Sequence, residues 1–449
     1  MRFFNSYLPF YKRNLVLAGP VMVAQAGQML VQFADNIMVG KLGTAQFAGV
    51  AFANSIFLIG MVFCTCFTQG LIAYAGQSYG KKEYRQVANY FFNSITLDFI
   101  MGLIVMFLLF TILPLMQFMG QDPDIIEYAK DYYIIMVISI LPFVIFFGIR
   151  NFSESIGITK YAMYITIISN LINILLNWVL IYGKLGFPRL GVSGAALATL
   201  ISRIIMFVSF LVIILSIRPY KHYIKFLNHQ YLDKKKIKEL LSTSIPVALQ
   251  GLVEITAFSV SGIMLGWFGK TALAAHQIAI TMASTSFMIA QGIGVASTIR
   301  VSHQFGEKDY RAAKKAGYAS MHLSVALMST AAILYIIFRH QIPYIFTSDP
   351  QVVSIAATLL IVSAGFQIFD AVQLSGIASL RALNDVKIPL LLSIVSYYFI
   401  CLPLGYFCGK VLNFGPLGIW LGLMLGLFFA AIFFFYRFKK LISRYINNA

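Results

Sequence analysis

The chain has 449 residues, of which 59% are apolar and only 11% charged. A soluble globular protein carries about a quarter of its residues as charges, so this chain cannot cover a water-facing surface and a soluble fold is excluded. The 34 Lys and Arg against 16 Asp and Glu give a net charge of +18, which raises nucleic acid as a partner until the positions of the charges are read.

Twelve apolar runs are expected to be helices, at about 14–39, 45–73, 90–113, 131–150, 161–182, 190–216, 241–266, 272–299, 316–338, 352–379, 388–409 and 416–437. Each is long enough to cross about 30 Å of hydrocarbon. Helices satisfy their own backbone in lipid, whereas open strands do not, and the runs are too uniformly apolar for alternating barrel strands. The first run is too long for the core of a cleavable leader, so it is expected to remain as helix one. The four cysteines, Cys64, Cys66, Cys401 and Cys408, fall in apolar runs without metal-ligand spacing and read as buried core residues.

Lys and Arg set the orientation. With the N-terminus in the cytoplasm, the outer side holds only Lys41, Lys130, Lys184, Arg189, Lys270, Arg339 and Lys410, and Arg203 lies inside span six. The rest fall in the tails and cytoplasmic loops. Both termini are therefore expected in the cytoplasm of an inner or plasma membrane, and the positive charge needs no nucleic acid. A basic linker at 217–240, with Lys221, Lys225, Lys234, Lys235, Lys236 and Lys238, is expected to rest on anionic headgroups.

The chain repeats itself. Pro20 pairs with Pro246, Ile37-Met38 with Ile263-Met264, Gly40 with Gly266, and Gly43 with Gly269. Gly80 to Arg85 pairs with Gly306 to Arg311, Asp122-Pro123 with Asp349-Pro350, and Leu190-Gly191 with Leu417-Gly418. Six spans per half bring both halves into the membrane in the same sense, a parallel repeat. The expected fold is an all-α membrane protein: two parallel six-helix repeats, 1–216 and 241–449, around a central cleft. Two such bundles rocking around a cleft suit alternating access, hence a transporter rather than an enzyme.

Four acids remain at membrane depth: Asp35, Asp98, Glu254 and Asp370. An acid at a helix centre costs about 2.5–3.5 kcal/mol on the insertion scale and marks function by default. In the repeat, Glu254 aligns with Gln28 and Asp35 with Ser261, so the scaffold is copied and the carboxylates are not. A carboxylate in low dielectric gains by binding a proton, and two together can hold Na⁺ among their oxygens. Competition between that ion and a positively charged guest is what antiport requires. Asp98 lies near the cytoplasmic end of its span and reads as a residue that snorkels or caps. Pro20 and Pro246 are candidate hinges. Asn173 and Asn177 share a helix face and can ligate a cation beside Asp35 or bond between helices. His276 and His322 read as packing residues.

The stretches Gln32-Phe33-Ala34-Asp35-Asn36, Leu252-Val253-Glu254 and Gln367-Ile368-Phe369-Asp370 carry a resemblance. With the paired Gly-Tyr-Arg segments they make the chain similar to the multidrug and toxic compound extrusion family, NorM-type branch, over about residues 10–440. The resemblance implies a two-lobe antiporter. Glu254 and Asp370 would form its C-terminal cation site, and Asp35, Asn173 and Asn177 an N-terminal polar site, with Pro20 bending helix one. A threonine that completes the N-terminal site in relatives falls near Ala195 here, with Thr199 one turn on. The expected activity is export of organic cations or amphipathic drugs in exchange for Na⁺ or H⁺, by a monomer among membrane lipids with no cofactor. The alternative is a flippase for a lipid-linked precursor. That would want a cationic interior, and only Arg203 lies deep in a span. No Walker motif is present for ATP.

Overall fold

The structure is a computed structural model that describes residues 2–227 and 232–449. Its helices are α1 (Arg2–Gly40), α2 (Thr44–Thr68), α3 (Gly70–Gly80), α4 (Tyr84–Ile112), α5 (Pro123–Ile138), α6 (Ile140–Ser155), α7 (Lys160–Tyr182) and α8 (Gly191–Ser216). They continue as α9 (Arg218–Leu227), α10 (Lys234–Gly266), α11 (Lys270–Gly306), α12 (Tyr310–Ile337), α13 (Pro350–Ala382), α14 (Lys387–Ile394), α15 (Leu402–Tyr406) and α16 (Pro416–Asn447). Among the described residues there is no strand. Twelve stretches are long and apolar enough to cross a membrane, so the chain is an all-helical, multi-pass membrane protein.

Two expected spans are interrupted, span two near its end and span four within it. Span two stops at Gln69 between α2 and α3, where Gly70 lies against Ser244 of α10 too closely to admit a Cβ. Span four stops at Ser139 between α5 and α6, and Ser139 is fully buried. The Ser139 amide bonds to the Ile135 and Met136 carbonyls and its hydroxyl donates to Met136 O at 2.6 Å. Span eleven is irregular in another way: π-helical turns at Val395–Cys401 and Phe407–Val411 flank α15, whose second residue is Pro403. Gly422 of α16 meets the backbone of Gly405 with no room for a side chain.

The repeat appears in the turns. Lys82 and Lys308, paired in sequence, both take φ 62°, and Gly43 and Gly269 both take positive φ just before α2 and α11. Asp122 and Asp349 both precede a proline at the first position of a helix, α5 and α13.

Packing divides the chain into Met1–Met22 with Leu249–Ala449, and Val23–Ala248. The division therefore falls inside two helices rather than at the linker. Both α1 and α10 remain helical through their prolines, Pro20 and Pro246, and each changes unit two residues after its proline. The first turns of α1 join the C-terminal unit: the Asn14 amide donates to Ser320 Oγ at 2.8 Å and to Ala316 O at 3.1 Å. The core of that unit gathers around Trp420, Phe366 and Tyr397, and in a second cluster around Phe434 and Phe438. The other unit has cores around Phe57, Met116 and Tyr133, and around Phe91, Phe146, Phe152 and Tyr220.

The basic linker is more ordered than its composition suggests. Residues 228–231 of it lie outside the described residues. Before them, α9 buries Tyr220, whose hydroxyl lies 2.5 Å from that of Ser153, and leaves Lys221 and Lys225 exposed. Lys236 does not face headgroups. It is buried, donates to Gln86 Oε1, and lies 4.2 Å over the Tyr90 ring. Cys64 and Cys401 are buried as expected, whereas Cys66 and Cys408 are only partly buried; all four thiols are free.

Candidate functional site

In the C-terminal unit, Glu254 sits on α10 and Asp370 on α13. Asp370 is 3% exposed and Glu254 partly buried. The two carboxyls lie within electrostatic reach of one another. Arg381 of α13 also acts on Glu254, and the side chains of Gln373 and Tyr397 lie beside it. Gln373 is one turn from Asp370, so both reach the same place from one helix face. Tyr397 comes from the π-helical turn of span eleven. The surroundings are otherwise closed by aromatic rings, with Phe258 at 6.2 Å from Tyr397 and 6.0 Å from Phe366. Gln250, one turn before Glu254, accepts from Arg381 Nη2 at 3.0 Å and donates to Ser393 at 2.9 Å, which holds the guanidinium in place.

Two carboxyls with one guanidinium leave an excess negative charge in a low-dielectric interior. A proton or a small cation neutralises it. The buried Gln373 Oε1 and Tyr397 hydroxyl, neither with a protein partner at hydrogen-bond geometry, add neutral oxygens of the kind a hard cation takes.

In the other unit, Asn177 Nδ2 donates to Asp35 Oδ1 at 2.5 Å and to Asn173 Oδ1 at 3.1 Å. Both amides are buried, Asn177 fully. The expected trio is thus one connected set, linking α1 to α7. Thr199 Oγ1 donates to its own helix at Ala195 O, 3.1 Å away, so its hydroxyl hydrogen is committed to the backbone. Tyr132 lies in the field of Asp35 and donates to Asn54 Oδ1 at 3.2 Å.

Asp98 does not snorkel. It is 1% exposed, with Ser94 Oγ at 3.4 Å, and Gly148 of α6 approaches so closely that a Cβ there would lie 2.5 Å from Asp98 Oδ2. The missing side chain at Gly148 makes the space that an acid otherwise lacks, and the carboxyl is packed between helices. Glu154 is likewise buried rather than at a wet face, paired with Arg150 at 2.6 Å one turn away. His276 packs 5.8 Å from Trp420, and His322 accepts or donates at Tyr11 OH, 2.9 Å away. Both are packing residues, as their sequence positions imply.

Sequence reasoning missed Gln250, Gln373, Arg381 and Tyr397. Gln373 had a signal, one turn from Asp370. Arg381 was counted with the cytoplasmic charges because nothing local says that its side chain turns back into the span.

A family model described as MatE matches residues 20–179 and 246–407. The chain belongs to the MatE family. The two matched segments begin at the paired prolines, Pro20 and Pro246, one in each half, so the family match reproduces the internal repeat. The chain is 31% identical to the multidrug resistance protein NorM of Photobacterium profundum, over 97% of this chain and 96% of that one. It is 32% identical to a probable NorM of Rhodopseudomonas palustris, over 95% and 91%. Its fold matches an outward-facing multidrug resistance MATE family transporter with a TM-score of 0.91, over 98% and 97% of the two chains, at 20% identity. A MatE protein is a membrane transporter and not an enzyme, which is the class the repeat and the buried acids imply.

Proposed function

We propose that this MatE protein is a multidrug efflux antiporter that exports organic cations or amphipathic compounds in exchange for Na⁺ or H⁺. The observation that carries this reading is the placement of Glu254 within reach of the buried Asp370, with a single guanidinium, that of Arg381, acting on the pair. Such a pair is unstable as two bare anions and is satisfied by one small cation. NorM relatives are named for multidrug resistance over nearly their full length, which supports drugs as the cargo. Asp35 with Asn173 and Asn177 serves as the second polar site. Pro20 and Pro246 serve as hinges, because each lies two residues from the point where its helix changes unit. The chain resides in an inner or plasma membrane with both termini in the cytoplasm.

The test is efflux of a fluorescent organic cation from proteoliposomes under a Na⁺ gradient and, separately, a pH gradient. Efflux driven by one or both supports antiport. Efflux independent of both, with export of a lipid-linked pyrophosphate instead, moves the reading to a flippase.

A further inference from the structure

Near the starts of α2, α5 and α8, within the unit Val23–Ala248, lies a cavity of about 390 Å³. Gln46 lines it from α2, Tyr128 and Asp131 from α5, and Arg189 from the connection into α8, whose first residues, 191–193, complete the wall. Asp131 and Arg189 bring opposite charges to this one cavity. They form no ion pair with each other or, among the described residues, with any other side chain. Gln46 Oε1 is buried with no protein partner. No side chain caps α8, so the amides of its first turn lack an acceptor.

Glycines fix the walls. A Cβ on Gly49 of α2 would lie 2.9 Å from Tyr128 Cβ and 3.0 Å from the Ile125 carbonyl oxygen of α5. A Cβ on Gly194 of α8 would lie 2.6 Å from the Leu180 carbonyl oxygen of α7. Gly183, at φ 69°, ends α7 directly against the backbone of Arg189. The Leu190 amide donates to Leu180 O at 3.0 Å. Backbone packing therefore sets Arg189 at the cavity, without a partner for its side chain. A site built in this way exists before its ligand arrives and loses little on binding it.

Opposite charges held apart in a preformed cavity fit a ligand that carries both signs. The guanidinium fork and the α8 amides suit a phosphate. The Asp131 carboxylate and Gln46 Oε1 suit an ammonium group with N–H to donate. Spanning helices begin at headgroup depth. The rim is apolar as well: Phe47 follows Gln46, Phe187 lies two residues before Arg189, and both are exposed. Such a rim accepts acyl chains beside a bound headgroup.

We propose that this cavity binds the zwitterionic headgroup of a phosphoethanolamine lipid, with the phosphate at Arg189 and the α8 start and the ammonium at Asp131 and Gln46. A purely anionic headgroup meets like charge at Asp131, and a choline headgroup has no N–H to give. The proposal does not rest on the transport reading.

The test uses purified full-length protein in detergent. Phosphatidylethanolamine, phosphatidylcholine and phosphatidylglycerol with the same acyl chains are added in turn, and retention is read by native mass spectrometry. The wild type should retain phosphatidylethanolamine about tenfold more strongly than either of the others. Arg189→Gln should lower its retention to the level of the others. Asp131→Asn should lower phosphatidylethanolamine by about tenfold and leave phosphatidylglycerol unchanged or raised. Equal retention of the three lipids by the wild type, or an equal fall of all three in Asp131→Asn, overturns the proposal. Glycerophosphoethanolamine has the headgroup without acyl chains. If it competes at the concentrations at which the lipid binds, the cavity takes a soluble zwitterion and the lipid is overturned as its ligand. A melting curve for each variant identifies misfolding. Should Arg189→Gln misfold, Arg189→Lys, which keeps the charge and loses the fork, carries the comparison and should fall between. Retention is read without a gradient, so its failure leaves the antiport reading standing, and failure of efflux leaves the lipid site standing.

Discussion

Asn177 reaches across from α7 and donates to the Asp35 carboxyl of α1 at 2.5 Å. Asn177 is fully buried, so its amide has no water to fall back on. A hydrogen bond to a charged group contributes about 1.5–3 kcal/mol. Asn177→Ala should therefore weaken cation binding at Asp35 by roughly tenfold or more. Drug-binding titrations of Asn177→Ala and Asp35→Asn should show overlapping losses rather than additive ones, because the two groups act as one set. Additive losses would separate them.

The close approach of Gly148 to Asp98 makes a stability prediction. Gly148→Ala places a methyl group on a carboxylate oxygen inside a packed core, and overpacking of this kind costs about 1–3 kcal/mol. Removing the acid as well, in Gly148→Ala with Asp98→Ala, should recover part of that cost. Thermal melting of the detergent-solubilised single and double mutants measures the coupling. Asp98→Asn alone keeps the shape and should leave efflux mildly affected; loss of coupled efflux in that variant would give Asp98 a place in transport.

The buried pair Arg150 and Glu154 is asymmetric in the same manner. Breaking it with Glu154→Gln leaves an uncompensated guanidinium and should destabilise by about 3–5 kcal/mol. Replacing both, Arg150→Met with Glu154→Leu, should be far milder. A double mutant as unstable as the single one would show that the pair does more than neutralise itself.

Pro20 and Pro246 stand where α1 and α10 change unit. Each removes one backbone hydrogen bond, which softens its helix at that point. Pro246→Ala should keep drug affinity and lower turnover, since a stiffer helix slows the change of state without altering the site. Rapid-mixing efflux together with equilibrium binding separates the two effects. Lowered affinity with normal turnover would place Pro246 in the binding surface.

Much of this was legible in the sequence because the membrane constrains it so strongly. Spans, the parallel repeat and the choice of Asp35, Glu254 and Asp370 follow from hydropathy, spacing and the rarity of charge. The matched φ of Lys82 and Lys308 is a repeat that pattern matching alone predicts. The breaks at Gln69 and Ser139 were not legible. Each coincides with a contact from a distant helix, Ser244 against Gly70 and Arg203 on Ser139; Gly70 and Pro142 stand beside the breaks, but membrane helices tolerate both residues without stopping. The division of α1 and α10 between units was also hidden, since both helices continue without interruption. Asp98 was misread for a related reason: its distance from the span end suggested snorkelling, whereas the space beside Gly148 decides its position. Lys236 looked like part of a solvated charge run until Tyr90 and Gln86 were found to cover it.

The pairing of Glu254 with Asp370 is tested most directly by gradient-driven efflux of a fluorescent cation from proteoliposomes holding Glu254→Gln or Asp370→Asn. Each variant is expected to bind the drug yet lose the response to the imposed Na⁺ or pH gradient. Efflux that follows the gradient as in the wild type, in both variants, would contradict a coupling ion held between these two carboxyls.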